Sequence, residues 1–190
     1  MSTNPFFSTW AYGGDARSSL YGALPAPDST TSDFQMLYFT SMNPNILSCT
    51  LTKADGQPQY YITTDSWIPG YTNFRTVGGQ SVVLIEWNSR GAEVEIRGTL
   101  KKQYASDFLQ LSRDRRFRIM TFGGEQYAWV ARDNTICMYK VNSSSADCLA
   151  RLCKEQGIIR LEMSPIAIRN GLLSPTALAA VLLQGGRRID

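Results

Sequence analysis

The chain contains no histidine among its 190 residues. Histidine is the commonest general base and a frequent metal ligand, so its absence removes the usual basis for acid–base catalysis and for many metal sites. The four cysteines do not include a pair with the C-x-x-C spacing that is typical of zinc-binding and redox motifs. We therefore expect a protein without a cofactor or metal, and the sequence favours a binding function over catalysis.

The first residues do not resemble a signal peptide, and the charge bias of the chain is weak. The first ten residues have neither a basic region nor an apolar run, unlike a secretory signal peptide. We expect a cytoplasmic protein with reduced thiols at Cys49, Cys137, Cys148 and Cys153. The net charge of +3 permits contact with an anionic partner without requiring one, and no nucleic-acid partner is expected.

Composition divides the chain near residue 33. Residues 1–32 are rich in Ser, Thr, Gly and Pro, which predicts a mobile tail. Aromatic residues are scattered through this segment, so the alternative is that it docks on the domain or on a protein partner that the sequence does not identify. From residue 33 the chain alternates between short apolar-polar runs and turn signals, which predicts a single β-rich domain over 33–190.

About ten short strands are predicted in that domain. The strongest is the segment from Ser81 to Trp87, SVVLIEW, and the next strand alternates glutamate with apolar residues. The segment from Lys101 to Leu111 is interpreted as a strand that breaks into a helical turn near Ser106 and Asp107. Residues 146–156 are compatible with either a helix or a strand and loop.

The last apolar run predicts a helix over residues 174–184. Ser174 and Pro175 are typical of a helix start, and Gly185 with Gly186 ends it. The residues between are apolar on every side, so the helix should be buried on every side. It is shorter than the roughly 20 residues that a membrane span needs. Antiparallel strands and a wholly apolar helix together predict a mainly β fold, an antiparallel barrel or strongly curved sheet that encloses the helix.

Several short motifs occur in an order that resembles a basidiomycete fungal family of unknown function. They are Ile85-Glu86-Trp87, Ile96-Arg97-Gly98, Ser106-Asp107-Phe108-Leu109, Arg116 to Arg118, and Gly124-Glu125-Gln126-Tyr127-Ala128-Trp129. Gly123 stands where that family often has Asp. The family is similar to the tubby C-terminal-like group, which includes phospholipid scramblases and LURP-one-related proteins. This resemblance covers about residues 33–188 and implies a β-barrel around a C-terminal helix.

The densest cluster of positive charge is the candidate binding site. It comprises Lys101, Lys102, Arg113, Arg115, Arg116 and Arg118. Such a cluster could hold a phosphoinositide head group or an anionic membrane surface, at about 1 kcal/mol for each basic side chain. The alternative is a solvated strand face with Asp107 and Asp114 as partners, which is the commoner role of a charge run.

Two further features have open interpretations. Glu86 lies within an apolar strand, where it could be a buried acid with a raised pKa, or an outward-facing partner of a residue such as Arg97. Tyr127 and Trp129 share a strand face and could stack a flat ligand, although packing in the core is the commoner use.

Three hypotheses for the function therefore remain. The first is a cytoplasmic, membrane-peripheral module that binds anionic lipid or phosphoinositide through the basic cluster. The second is a protein-interaction domain that uses the aromatic residues of the tail. The third is an enzyme with a pocket at the mouth of the barrel that works without histidine.

Overall fold

The computed structural model describes residues 34–65, 70–143, 145 and 147–190. The predicted tail at 1–32 lies outside the described residues, so its behaviour and the domain boundary stay predictions. The described residues form thirteen strands: β1 Gln35–Thr40, β2 Cys49–Lys53, β3 Pro58–Thr64, β4 Tyr71–Arg75, β5 Ser81–Asn88, β6 Gly91–Ile96, β7 Leu100–Tyr104, β8 Leu109–Leu111, β9 Phe117–Phe122, β10 Glu125–Arg132, β11 Thr135–Lys140, β12 Cys148–Glu155 and β13 Ile158–Met163. The same residues contain three helices: α1 Ala105–Phe108, α2 Pro165–Arg169 and α3 Leu173–Gln184. Within the described ranges no helix is long and apolar enough to span a membrane.

All thirteen strands belong to one antiparallel sheet. Its order is β7-β6-β5-β4-β3-β2-β1-β13-β12-β11-β10-β9-β8. The first strand therefore pairs with the last, since β1 is hydrogen-bonded to both β2 and β13. The mainly β fold predicted from the sequence is confirmed.

The sheet remains open between its two edge strands, β7 and β8, which are neighbours in the sequence. Because every strand is antiparallel to the next and their number is odd, these two edges run in the same direction. Parallel neighbours need a connection of about a dozen residues or more, but only the four residues of α1 join β7 to β8. No pairing between these two strands is present in the described part of the chain, and of the two predicted forms the curved sheet is the one found. Ala105 and Phe108 of α1 are fully buried at the opening.

The helix α3 runs through the interior of this curved sheet. It contacts both β5 and β13, which are five places apart in the sheet order, so strands surround it. Every residue from Pro175 to Gln184 is buried, and the exposed fraction from Ala177 to Leu183 does not exceed 1%. The small side chains of Ala177, Ala179 and Ala180 allow the surrounding strands to approach the helix closely. The predicted burial of Val181, Leu178 and Leu182 is confirmed.

The start of the last helix differs from the prediction, and the structure assigns one segment that the sequence left undecided. The helix begins at Leu173, and Ser174 lies inside its first turn instead of capping it. The Ser174 hydroxyl is hydrogen-bonded to the Tyr60 hydroxyl at 2.9 Å, so tertiary contact replaces the predicted cap. Residues 148–155, which the sequence left undecided, form strand β12.

Antiparallel pairing places alternate connections at the same end of the sheet. The connections β1–β2, β5–β6, β8–β9, β10–β11 and β12–β13 share one end, which we call the upper end. After β13, α2 lies at the lower end, and α3 then runs upward. Gly185 lies against Leu47 of the β1–β2 connection, so the C-terminal residues 185–190 also belong to the upper end.

Candidate functional site

The predicted basic cluster is divided in the structure. Arg113, Arg115 and Arg116 lie in the β8–β9 connection and are exposed at the upper end. Lys101 and Lys102 are exposed on β7, so α1 and β8 stand between them and the arginines in the chain. The structure therefore brings three of the six residues together in one turn.

The turn that carries these arginines is held by its own hydrogen bonds. The Ser112 hydroxyl donates to the Asp114 carboxylate at 2.6 Å, and the Arg116 main-chain N–H donates to the same carboxylate oxygen at 3.2 Å. The hydrogen bond from Ser112, followed by that from Arg116, holds the pKa of Asp114 below its ordinary value. Arg115 has a left-handed backbone with φ of 60°. Since the carboxylate is engaged by the turn, the three guanidinium groups project from a fixed loop. We call Arg113, Arg115 and Arg116 the arginine turn.

Arg118 does not belong to this surface, and its predicted place in an exposed patch is wrong. Its exposed fraction is 1%, because β9 turns Arg118 and Met120 towards the interior. Nη1 of Arg118 donates to the Leu109 carbonyl at 2.8 Å. The guanidinium also contacts both carboxylate oxygens of Asp190, at 2.6 and 3.2 Å. Arg118 therefore holds the C-terminal segment against the sheet.

Lys102 is paired with two acidic residues of neighbouring strands. Its ammonium group lies 2.5 Å from the Glu86 carboxylate and 3.2 Å from that of Glu93. The hydrogen bond from Lys102 lowers the pKa of Glu86, and hydrogen bonds to Glu86 and Glu93 raise the pKa of Lys102 to about 12. Glu86 thus faces outward and stays ionised, and its partner is Lys102 instead of Arg97. The alternative of a buried acid with a raised pKa is wrong.

More positive charge lies at the upper end, outside the predicted cluster. Arg90 is exposed in the β5–β6 connection, and Arg188 is exposed after α3. The guanidinium of Arg187 stacks on the ring of Trp87, with its carbon 5.0 Å from the ring centroid. These residues are far apart in sequence, so only the common end of the sheet relates them to the arginine turn.

The two aromatic residues considered as a ligand platform belong to the core. Trp129 is fully buried and Tyr127 is 5% exposed, both on the inner face of β10. The packing interpretation is therefore the one that the structure supports.

A second group of chemically active side chains was not found from the sequence. Cys137 on β11 and Cys148 and Cys153 on β12 share the outer face of the sheet with Arg151. Cys137 lies directly opposite Arg151, whereas a register shift places Cys148 opposite Tyr139. Cys137 and Cys148 are consequently diagonal neighbours. The Cys148 thiol donates a hydrogen bond to the Ala150 carbonyl at 3.2 Å. We call Cys137, Cys148 and Arg151 the thiol cluster.

The thiol cluster is covered although it lies on the outer face. The guanidinium of Arg132 on β10 lies 5.6 Å from the centroid of the ring of Tyr139, which is on the same strand as Cys137. The exposed fraction of Cys137 is only 3%, whereas Cys148 is partly exposed. On the other side, Arg151 lies 3.8 Å from Glu162 and stacks on Phe34 at 4.7 Å. All four cysteines are free thiols, as predicted.

Cys137 and Cys148 differ in their electrostatic surroundings. Interaction with Cys148 lowers the pKa of Cys137 against the opposing effect of burial, and smaller effects from the hydroxyls of Thr135 and Tyr139 and the charge of Arg151 also lower it. The pKa of Cys148 is raised by its interaction with Cys137 and by burial, and its thiol donates to the Ala150 carbonyl. By contrast, burial alone raises the pKa of Cys49 to about 12. The two thiols therefore differ in their tendency to ionise, which is greater at Cys137.

Sequence reasoning missed the thiol cluster for an identifiable reason. The alternation in TICMYK places Thr135, Cys137 and Tyr139 on one face of a strand. However, residues 146–156 were not assigned to a strand, so the opposing cysteines and Arg151 could not be placed beside them.

Two comparisons with known proteins gave a match. Residues 44–177 match the model of a family described as "Family of unknown function (DUF6593)". The X-ray structure of a protein from Arabidopsis thaliana matches with a TM-score of 0.45 and 10% sequence identity, over 85% of this chain and 98% of that chain. The curated proteins gave no match.

Proposed function

The chain belongs to the family of unknown function DUF6593, and we propose that this member is a membrane-peripheral module of the cytoplasm that binds anionic lipid surfaces through its upper end. The arginine turn supplies the principal contacts in this proposal. Arg90 and Arg188, which lie at the same end, would add to the attraction. Phosphoinositides are the lipid class with the highest charge that such a surface would meet.

One observation carries the proposal. The arginine turn places three exposed guanidinium groups on a loop whose only carboxylate, Asp114, is already held by Ser112 and the Arg116 main chain. Arginine forms bidentate hydrogen bonds with phosphate oxygens, so a fixed turn of arginines is well suited to lipid phosphate groups. Each basic side chain near an anionic surface contributes about 1 kcal/mol.

We further propose that the family is a distant branch of the tubby C-terminal-like group. A curved antiparallel sheet around an enclosed C-terminal helix agrees with the fold that the sequence motifs imply for that group. The proposal of lipid binding does not depend on this relationship, because it rests on the placement of the arginines.

Flotation with vesicles of stated composition tests the proposed function. The protein should bind vesicles that contain phosphatidylserine and phosphatidylinositol bisphosphate and should not bind vesicles of phosphatidylcholine alone. Replacing Arg113, Arg115 and Arg116 by Ala should weaken binding about 100-fold, since about 1 kcal/mol is lost for each residue. The salt dependence of binding should become shallower in the same variant.

The chain offers a control of identical net charge. Arg75, Arg97 and Arg169 are exposed at the lower end, and their replacement by Ala changes the net charge by the same amount. This control should bind vesicles within about threefold of the unmodified protein. Equal losses in the two triple variants would mean that only net charge acts, and no loss in the arginine-turn variant would overturn the proposal. Competition by soluble inositol phosphates separates head-group recognition from attraction to the charged surface.

A further inference from the structure

We propose that Cys137 and Cys148 form a peroxide-reactive thiol pair on the outer face of the sheet, in which Cys137 is the nucleophile and Cys148 the resolving thiol. The co-reactant is a hydroperoxide, either hydrogen peroxide or a small organic hydroperoxide. This inference goes beyond lipid binding, since the cluster lies on the outer face of β10 to β13 and not in the arginine turn.

The first argument is the placement of the two sulfurs. Cys137 and Cys148 come from adjacent antiparallel strands and lie as diagonal neighbours on the same face. The register shift between Met138 and Tyr139 sets Cys148 opposite Tyr139, one place beyond the residue that faces Cys137. A sulfenic acid formed at Cys137 would therefore have a thiol already beside it.

The second argument is the set of groups around the Cys137 sulfur. The Thr135 hydroxyl lies 3.6 Å away, and Arg151 is its direct cross-strand neighbour. Tyr139 lies two places further along β11, on the same face. A neighbouring cation stabilises a thiolate, which is the reactive form of cysteine. In contrast, the Cys49 thiol donates to the Ile46 carbonyl at 3.1 Å in a buried part of the core, which favours the protonated and unreactive form.

The reaction balances in two steps. The Cys137 thiolate attacks the terminal oxygen of the hydroperoxide, so an S–O bond forms, the O–O bond breaks, and the leaving oxygen takes a proton to give an alcohol or water. The Cys148 sulfur then attacks the sulfenic sulfur, forming the S–S bond and breaking the S–O bond, and its proton leaves with the hydroxide as water. Two thiols and one hydroperoxide thus give one disulfide, one alcohol or water, and one further water.

The geometry also predicts how the oxidised pair behaves. Diagonal cross-strand neighbours lie about 7–8 Å apart at Cα, whereas disulfides usually span about 4.4–6.8 Å. Strands β11 and β12 must therefore draw together at the register shift, and the covering side chains of Tyr139 and Arg132 must adjust. A disulfide that holds its strands away from their resting positions is readily reduced, so we expect thiols such as glutathione to restore the pair.

Peptide mass spectrometry on the full chain tests the proposal without any substitution. The reduced protein is treated with hydrogen peroxide, alkylated under denaturing conditions and digested. We expect a peptide pair linked through Cys137 and Cys148, with Cys49 and Cys153 still alkylated, and we expect glutathione to remove the link. Earlier oxidation of Cys49 or Cys153, or links only between separate molecules, would overturn the assignment.

Variants then separate the two roles. In Cys148→Ala, a dimedone probe should label Cys137 as a trapped sulfenic acid. Dimedone labelling of Cys137→Ala should be at least about tenfold lower than that of Cys148→Ala. Cys153→Ala is the matched control, because Cys153 lies on the same strand and face as Arg151 but should leave the yield of the 137–148 link unchanged. Labelling of Cys148 before Cys137 would reverse the roles and contradict the proposal. If a variant fails to fold, the presence or absence of the linked peptide in the unmodified protein still tests the proposal.

Discussion

The buried guanidinium of Arg118 binds both carboxylate oxygens of Asp190, a residue 72 positions later in the chain. The Arg118 side chain is 2% exposed and the Asp190 side chain is 49% exposed, so the contact joins the interior of the sheet to its surface. A buried guanidinium needs partners for its charge and its donors, and Asp190 together with the Leu109 carbonyl provides them for Nη1 and Nη2. The pair also fixes the path of residues 185–190 across the upper end, from Trp87 on β5 to β9.

We expect Asp190→Ala to lower the free energy of unfolding by about 1–3 kcal/mol, because it leaves Arg118 buried without its carboxylate. The value should lie below the range for a fully buried pair, since Asp190 is half-exposed. Arg118→Met removes the buried charge itself and should be less destabilising than Asp190→Ala. Urea unfolding of the two variants makes the comparison. If Asp190→Ala left the free energy of unfolding unchanged, water would be replacing the carboxylate at Arg118.

The contact between Lys102 and Glu86 predicts a pH dependence that NMR can measure. Because the folded-state pKa of Glu86 is lowered, the pair stabilises the fold above the unfolded pKa of glutamate, near 4.3, and this contribution is lost as the pH falls through the folded pKa. Lys102→Met should move the pKa of Glu86 upward. Lys101→Met is the matched control and should leave that pKa unchanged. A shift of the same size in both variants would point to general electrostatics instead of the pair.

The division at residue 33 predicts the products of limited proteolysis. A protease should trim residues 1–32 and leave a resistant fragment, because the described strands from Gln35 to Met163 form one continuous ladder. Mass spectrometry of the fragments locates the cuts. Rapid cleavage near residue 90, within the β5–β6 connection, would contradict a single folding unit.

Local patterns predicted most of the strands and the last helix, but not which way a strand faces. In β9, the sequence Arg-Phe-Arg-Ile suggests that Phe117 and Ile119 face inward and that the arginines face the solvent. In the structure Arg118 instead lies inside beside Trp129, whereas Arg116 is exposed in the preceding turn and Phe117 and Ile119 are partly exposed. Arg118 can be buried because Asp190 pairs with its charge. Asp190 is 72 residues away in the sequence, so the alternation pattern of β9 does not reveal it.

The opening of the sheet and the thiol cluster also depend on long-range relationships. Closure fails because thirteen antiparallel strands leave two parallel edges, and the number of strands was predicted only approximately. The pairing of Cys137 with Cys148 depends on a single register shift between β11 and β12. Neither property follows from the composition of one segment.

Substitutions in α3 test whether the enclosed helix organises the fold. Leu182→Ala should lower the free energy of unfolding by about 2–5 kcal/mol, as core truncations do, since its exposed fraction is 1%. Ala180→Asp should prevent folding, because a carboxylate would be buried where sheet and helix leave no space for water. Leu173→Ala is a control with a smaller expected loss, since Leu173 is partly exposed at the start of the helix. Thermal and urea denaturation measure these effects.

Deletion of residues 172–190 is the strongest form of this test. The deletion removes α3 and the Asp190 partner of Arg118, so the inner face of the sheet would lose its apolar cover and a buried charge would lose its carboxylate. We therefore expect insoluble protein, whereas Arg188→Ala, in the same segment but exposed, should remain soluble and fold normally. A soluble truncated chain that melts cooperatively would show that the sheet is stable without its helix, and the enclosed position of α3 would then not be what holds the strands in place.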